Sequence, residues 1–277
     1  MEDKLFEPLV ILKKAYLDTK EAPAGSGLRI TFFWHILGKT PDDILVNITL
    51  RDETGQIWAQ RLSPMQGGLL PSNLWQAGEL VEDHHGLWIP EGTPPGHYQL
   101  LLSLYNATQG RHVLVEGKES LDLGTIEVLP GGSPRPSVPL NISFTGGLEL
   151  LGVEEWPDRI QQGERLPLSL YWLPKGHRLP DLQVRLELVD NKGRVHTVTE
   201  APPVASWYPS SSWISGISLK GIITLGIPGR LQPGTYKIRL SLEQIDGTPW
   251  PLENGRNYWV LGSLTVQAIP RTFRRPH

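Results

Sequence analysis

Pro94-Pro-Gly-His-Tyr98-Gln-Leu-Leu-Leu-Ser-Leu-Tyr105 is followed 138 residues later by Gln232-Pro-Gly-Thr-Tyr236-Lys-Ile-Arg-Leu-Ser-Leu-Glu243. In each, a Pro-Gly turn feeds a run in which every second residue is apolar: Tyr98, Leu100, Leu102 and Leu104, then Tyr236, Ile238, Leu240 and Leu242. A period of two places those residues on one face of a strand and predicts a half-buried β-strand. The same spacing pairs Trp34 with Trp172, Trp75 with Trp213, Pro71 with Pro209, Gly78 with Gly216, and Leu123-Gly124 with Leu261-Gly262. One constant offset from Asp43/Asp181 to Val128/Val266 means an internal duplication without net insertion in that span.

Other segments follow the same rule. Leu28, Ile30, Phe32 and Trp34 share a face, and Leu166-Pro-Leu-Ser-Leu-Tyr-Trp172 repeats it. Ile44, Val46, Ile48 and Leu50 point inward and end in the hairpin Arg51-Asp-Glu-Thr-Gly55, matched by Leu182 to Leu188 and Asp190-Asn-Lys-Gly193. Seven to nine short strands per copy, with turn signals between them, predict an all-β chain of two tandem immunoglobulin-like or jelly-roll-like β-sandwich domains. Helix is expected to be nearly absent, with one turn within Ser72 to Ala77. The expected boundaries are a first repeat over 1–129, a Pro/Gly linker over 130–137, a second repeat over 138–268 and a basic tail over 269–277.

Composition narrows the function. The chain has 277 residues, a net charge of −3 and no cysteine. No basic face points to nucleic acid, since Arg271, Arg274 and Arg275 make only a short tail. Disulfides, thiolate metal sites and a Cys nucleophile are excluded. No apolar run reaches the ~18 residues of a spanning helix, and Met-Glu-Asp-Lys-Leu-Phe is no signal peptide. Either the protein is cytoplasmic, or Met1 opens a fragment or subunit whose membrane address lies elsewhere.

Leu70-Pro-Ser-Asn-Leu-Trp75-Gln-Ala-Gly78, Tyr208-Pro-Ser-Ser-Ser-Trp213-Ile-Ser-Gly216 and the two Pro-Gly-x-Tyr strands resemble a family pattern. It is that of the soluble β-sandwich domain appended to bacterial membrane glycosyltransferases of the dolichyl-phosphate-mannose type and found in related surface proteins. The resemblance implies a sandwich fold and structural motifs rather than an active site. The membrane-spanning transferase itself is missing here, so the resemblance implies no transfer activity.

Residues shared by both copies are assigned to the fold: Trp34 and Trp172 to the core, Trp75 and Trp213 to loop anchoring, Tyr98 and Tyr236 to a tyrosine corner. Trp58, Trp88, Trp207, Trp250 and Trp259 do not recur, and fall opposite His196, Gly226, Leu69, His112 and Leu121. With Tyr208 they are the candidate binding residues, because aromatic rings suit sugar stacking or a protein interface. Trp207-Tyr208 and Trp250, near expected loops, lead the group. Glu82-Asp83-His84-His85 offers metal-ligand types, but neighbours on a strand face opposite ways, and the second copy reads Leu219-Lys-Gly there. That stretch is read as a solvated edge or loop, and Asp52, Glu53, Asp190 and Asn191 as hairpin-turn residues. No metal, cofactor or catalytic residue is assigned, and no nucleophile elbow or phosphate-binding loop is present. The expectation is a non-catalytic binding or structural module at or outside a cell surface, carbohydrate-related, with a glycan or a protein as partner. The alternatives are a structural subunit of a larger assembly or an accessory domain of a membrane glycosyltransferase.

Overall fold

A computed structural model describes residues 3–7, 9–176 and 178–269. The arginines of the expected basic tail lie outside the described residues. The chain divides into two compact units, Met1–Gly132 and Ser133–His277.

The first unit contains β1 (Lys4–Phe6), β2 (Val10–Leu17), β3 (Glu21–Pro23), β4 (Gly27–Ile36), β5 (Ile44–Arg51), β6 (Ile57–Pro64), β7 (Leu80–Trp88), β8 (Gly96–Asn106), β9 (Arg111–Val113) and β10 (Leu121–Leu129). Strands β1-β2-β4-β7 form one sheet and β3-β10-β8-β5-β6 the other, with β9 added to β8. All pairings are antiparallel except β3 with β10. The chain leaves the first sheet after β4, makes the β5–β6 hairpin in the second, returns to β7 beside β4, and crosses again to β8 beside β5. This is a Greek-key, immunoglobulin-like connection between two facing sheets.

The second unit repeats the plan with β11 (Val138–Phe144), β12 (Leu148–Val153), β13 (Arg159–Gln161), β14 (Arg165–Pro174), β15 (Leu182–Val189), β16 (Val195–Ala201), β17 (Leu219–Gly226), β18 (Gly234–Gln244), β19 (Pro249–Trp250) and β20 (Trp259–Gln267). Among the described residues, helix is confined to single 3-10 turns, including Ser72–Leu74 and Ser210–Ser212. The 138-residue offset reaches the first strands too, because Phe6 and Phe144 end β1 and β11.

The alternating residues make the cores. Leu28, Ile30, Phe32 and Trp34 from β4 meet Ile44, Val46, Ile48 and Leu50 from β5 and Tyr98, Leu100, Leu102 and Leu104 from β8, all of them buried. Each such aliphatic chain contributes roughly 1.5–3 kcal/mol by leaving water. Phe6 lies edge-on to Trp34 with ring centroids 5.6 Å apart, and Phe144 takes the same place 6.2 Å from Trp172. Both expected hairpins form. Gly55 and Gly193 adopt φ of 86° and 79°, and each donates its N–H to the carbonyl of the preceding Asp52 or Asp190 at 3.0 Å.

Candidate functional site

The shared aromatics hold the fold. Trp34 and Trp172 are fully buried. Tyr98 donates its hydroxyl to Pro94 O (2.6 Å) and Tyr236 to Gln232 O (2.7 Å), fastening each strand start to its own turn. Trp75 Nε1 donates to Leu70 O (3.2 Å) and Trp213 Nε1 to Tyr208 O (3.1 Å), closing the loop before the 3-10 turn. Ser72 and Ser210, which sequence reasoning did not single out, fix that turn to the sandwich. Their hydroxyls accept from Ile44 N (3.3 Å) and Leu182 N (2.8 Å) and donate to Asp42 O and Pro180 O.

The acidic and histidine stretch is an edge strand, but only half of it is solvated. It lies in β7, where the period of two sends Glu82 and His84 outward and buries Asp83 and His85. Asp83 Oδ2 accepts the Trp34 indole N–H (3.2 Å) and shares a hydrogen bond with His85 Nε2 (2.7 Å), while Oδ1 accepts from Gln66 N (2.7 Å). Ser63 Oγ lies 3.2 Å from His85 Nδ1. Serine, histidine and aspartate in contact invite a hydrolytic reading. Asp83, however, is committed to two N–H groups besides the histidine, and none of the clefts described below is lined by any of the three. Among the described residues, no three His, Asp or Glu side chains gather as metal ligands.

The unshared aromatics separate into two groups. Trp58 is buried, so its ring is withdrawn from any ligand, a correction to its place among the binding candidates. Its Nε1 donates to Asp52 Oδ2 (2.9 Å), and its ring lies edge-on to Tyr98 at 6.3 Å. In the second copy His196 does the same work: Nε2 is 3.0 Å from Asp190 Oδ2, and the ring is edge-on to Tyr236 at 5.3 Å. Trp250 is half-buried and donates to Thr145 O (2.9 Å). A Cβ on Gly146 would come within 2.6 Å of its ring. Trp259 pairs with the buried Leu240, and residues directly paired across antiparallel strands share a face, so it turns toward the core side. Trp207 and Tyr208 do come together, with rings 5.8 Å apart, both half-buried, and burial pushes the Tyr208 hydroxyl above its ordinary pKa. Trp88, at 59% exposure, is the open ring of the set. A sixth unmatched tryptophan, Trp156, opposite Asp18, packs over Gly262.

Two shallow clefts meet on the outer face of the second copy's larger sheet. One, of about 240 Å³, is lined by Arg185, Glu187, Arg239, Glu243, Asn257 and Tyr258; its neighbour continues along Arg256 to Val260. Glu187 Oε1 accepts from Arg185 Nε (3.0 Å) and its Oε2 from Arg239 Nε (2.6 Å), and Arg185 also pairs with Glu200. The Glu187 hydrogen bond holds the Arg185 guanidinium more firmly protonated than usual. The Arg239 guanidinium lies 4.6 Å from the centre of the Tyr258 ring, which remains 48% exposed. In the first copy these places are taken by Asn47, Thr49, Leu101 and Ser120. Tyr258 does not show in an offset comparison of tryptophans, because it is a tyrosine opposite Ser120.

No family model matches the chain, and no curated protein matches it. Among solved structures, it is similar to the CARDB domain of the PF1109 protein from Pyrococcus furiosus, determined in complex with di-metal ions. Identity is 16%, the TM-score 0.29, and the match covers 49% of this chain and 100% of that one. It is also similar to a Niemann-Pick type C2 protein from the Japanese carpenter ant, at 7% identity and a TM-score of 0.28, over 46% of this chain and 98% of that one. Among the described residues, no helix is long and apolar enough to cross a membrane.

Proposed function

We propose that the chain is a non-catalytic binding module acting at or outside a cell surface, and that it recognises carbohydrate through the outer face of β15, β18 and β20. The observation that carries this reading is the half-exposed Tyr258 ring, fixed by Arg239 beside a row of fixed guanidinium and carboxylate groups. An aromatic surface covers the C–H face of a sugar ring, and planar donors and acceptors beside it match the hydroxyls. The groups are held by one another before any ligand arrives, which lowers the ordering cost of binding. The likeness of the repeated motifs to a glycosyltransferase-appended domain supports the same ligand class and compartment.

The test is a glycan array with the full chain, followed by tryptophan fluorescence titration of each hit. Binding is expected in the wild type and is expected to weaken about tenfold or more in Tyr258→Ala. No binding across a broad array, or hits unaffected by that substitution, would overturn the reading. A second reading, a structural subunit of a larger assembly, draws on the edge strand β16, which exposes Val195 and Val198. A monodisperse monomer at high concentration in light scattering would remove it.

A further inference from the structure

The first repeat has a cleft of about 330 Å³ at one end of its sandwich, with Glu7, Thr40, Asp42, Gln109, Arg111 and His112 in its lining. Its polar groups form a chain. Asp42 Oδ2 accepts N–H groups from Asn106 (2.8 Å) and Gln109 (2.5 Å), and Gln109 Oε1 accepts from Arg111 Nε (2.7 Å). Gln109 N is held in turn by Asn106 Oδ1 (2.9 Å). The 138-residue offset places Pro180, Gln244, Gly247 and Pro249 at the positions of Asp42, Asn106, Gln109 and Arg111, so the second copy cannot build this chain. The same offset sets Trp250 opposite His112 and Thr145 opposite Glu7. Trp250 lies on the Thr145–Gly146 turn and bonds it, whereas the smaller His112 lines the cleft of the first copy. His112 stacks edge-on against Tyr105 at 5.4 Å, and its Nδ1 is buried without a hydrogen-bond partner.

We propose that this cleft binds a small neutral polyol, about the size of one sugar ring, and that Trp250 plugs its counterpart in the second repeat. The lining selects the class. Two carboxylates against one guanidinium disfavour an anion, and Arg111 within the polar chain disfavours a cation. A hydroxyl both donates and accepts, so it pairs with Asp42 and Glu7 and with Arg111. This site shares no residue with the Tyr258 face, so each stands or falls alone.

The test is saturation-transfer NMR on the full chain at millimolar ligand. The probes are D-mannose, D-galactose, N-acetylglucosamine and myo-inositol, with acetate and methylammonium as charged controls. At least one polyol should receive transfer and neither ion should. The signal should vanish in His112→Trp, which sets a larger ring in the cleft lining, and fall about tenfold in affinity in Arg111→Ala, which alters an exposed side chain. It should persist in Tyr258→Ala. Silence from every polyol, transfer to the ions alone, a signal unchanged in Arg111→Ala, or one lost in Tyr258→Ala would each overturn the proposal.

Discussion

Trp34 and Trp172 stand at the same point of two sandwiches, and each brings an indole N–H into a dry core. The first copy answers it with a side chain, the second with the backbone. Asp83 Oδ2 accepts from Trp34 and Oδ1 accepts from Gln66 N, so the carboxylate spans the gap between indole and main chain. In the second copy Asp83 is replaced by Gly221, and Pro203 O reaches Trp172 Nε1 directly at 3.1 Å. A Cβ on Gly221 would come within 1.7 Å of that carbonyl oxygen. The duplication therefore preserves a satisfied donor, not a residue. Aspartate and glycine are equivalent here only because the neighbouring loop sits at a different depth in each copy.

The sharpest way to break that comparison is to give the second copy the first copy's residue. Gly221→Asp restores the acceptor chemistry but cannot coexist with Pro203 O. It should destabilise the second repeat by more than about 4 kcal/mol and leave the first untouched. Hydrogen exchange read by mass spectrometry separates the two, since peptides from each repeat report separately. Equal protection in mutant and wild type would show that the loop moves freely and that the two solutions are interchangeable. The converse, Asp83→Ala, strands Trp34 Nε1, Gln66 N and His85 together. It should cost the first repeat about 3 kcal/mol by the same measurement, because buried donors without partners lose their hydration uncompensated. A cost near zero would mean that water enters and replaces the carboxylate.

These particulars show what the chain's order of residues discloses and what it hides. The inward faces of β4, β5 and β8 were legible because a strand's period of two is local, and each face is buried as the alternation implies. The tyrosine corners were legible because Pro-Gly-x-Tyr carries its acceptor four residues upstream. The buried Asp83–His85 pair was not, because charged types suggest solvent unless the partner is known, and Trp34 lies far away in the chain. Nor does the absence of a matching aromatic identify function. Trp58 lacks a matching tryptophan, yet His196 carries its hydrogen bond and its ring contact. Compensation works through space, so an offset alignment sees the substitution and not the neighbour that absorbs it. The cleft lined by His112 and the seat of Trp250 on Thr145 both depend on walls that distant segments supply.

That equivalence between Trp58 and His196 can be sharpened by exchange. Trp58→His keeps a donor for Asp52 and loses ring area, so it should cost about 1–2 kcal/mol. Trp58→Leu loses the donor as well and should cost about 1 kcal/mol more, measured by the same protection of first-repeat peptides. Equal costs would show that the bond to Asp52 contributes nothing.

A smaller effect lets acid probe the turn at Asp190. Asp190 is held well below the usual carboxylate range, first by its hydrogen bond to His196 and then by the backbone N–H of Arg194, with that of Lys192 contributing less. A carboxyl whose folded pKa is depressed stabilises the fold fully above its unfolded value of about 3.9. That contribution shrinks as the pH falls further, because the unfolded chain binds the proton first. Asp190→Asn keeps an oxygen for the two backbone donors but removes the titrating group. The second repeat of that variant should therefore lose less stability than wild type between about pH 5 and pH 3, while the first repeat, serving as the internal standard, falls identically in both. If the two second-repeat curves run parallel, the turn's stability lies in its backbone geometry and not in the carboxylate charge, and the pairing with His196 is incidental to it.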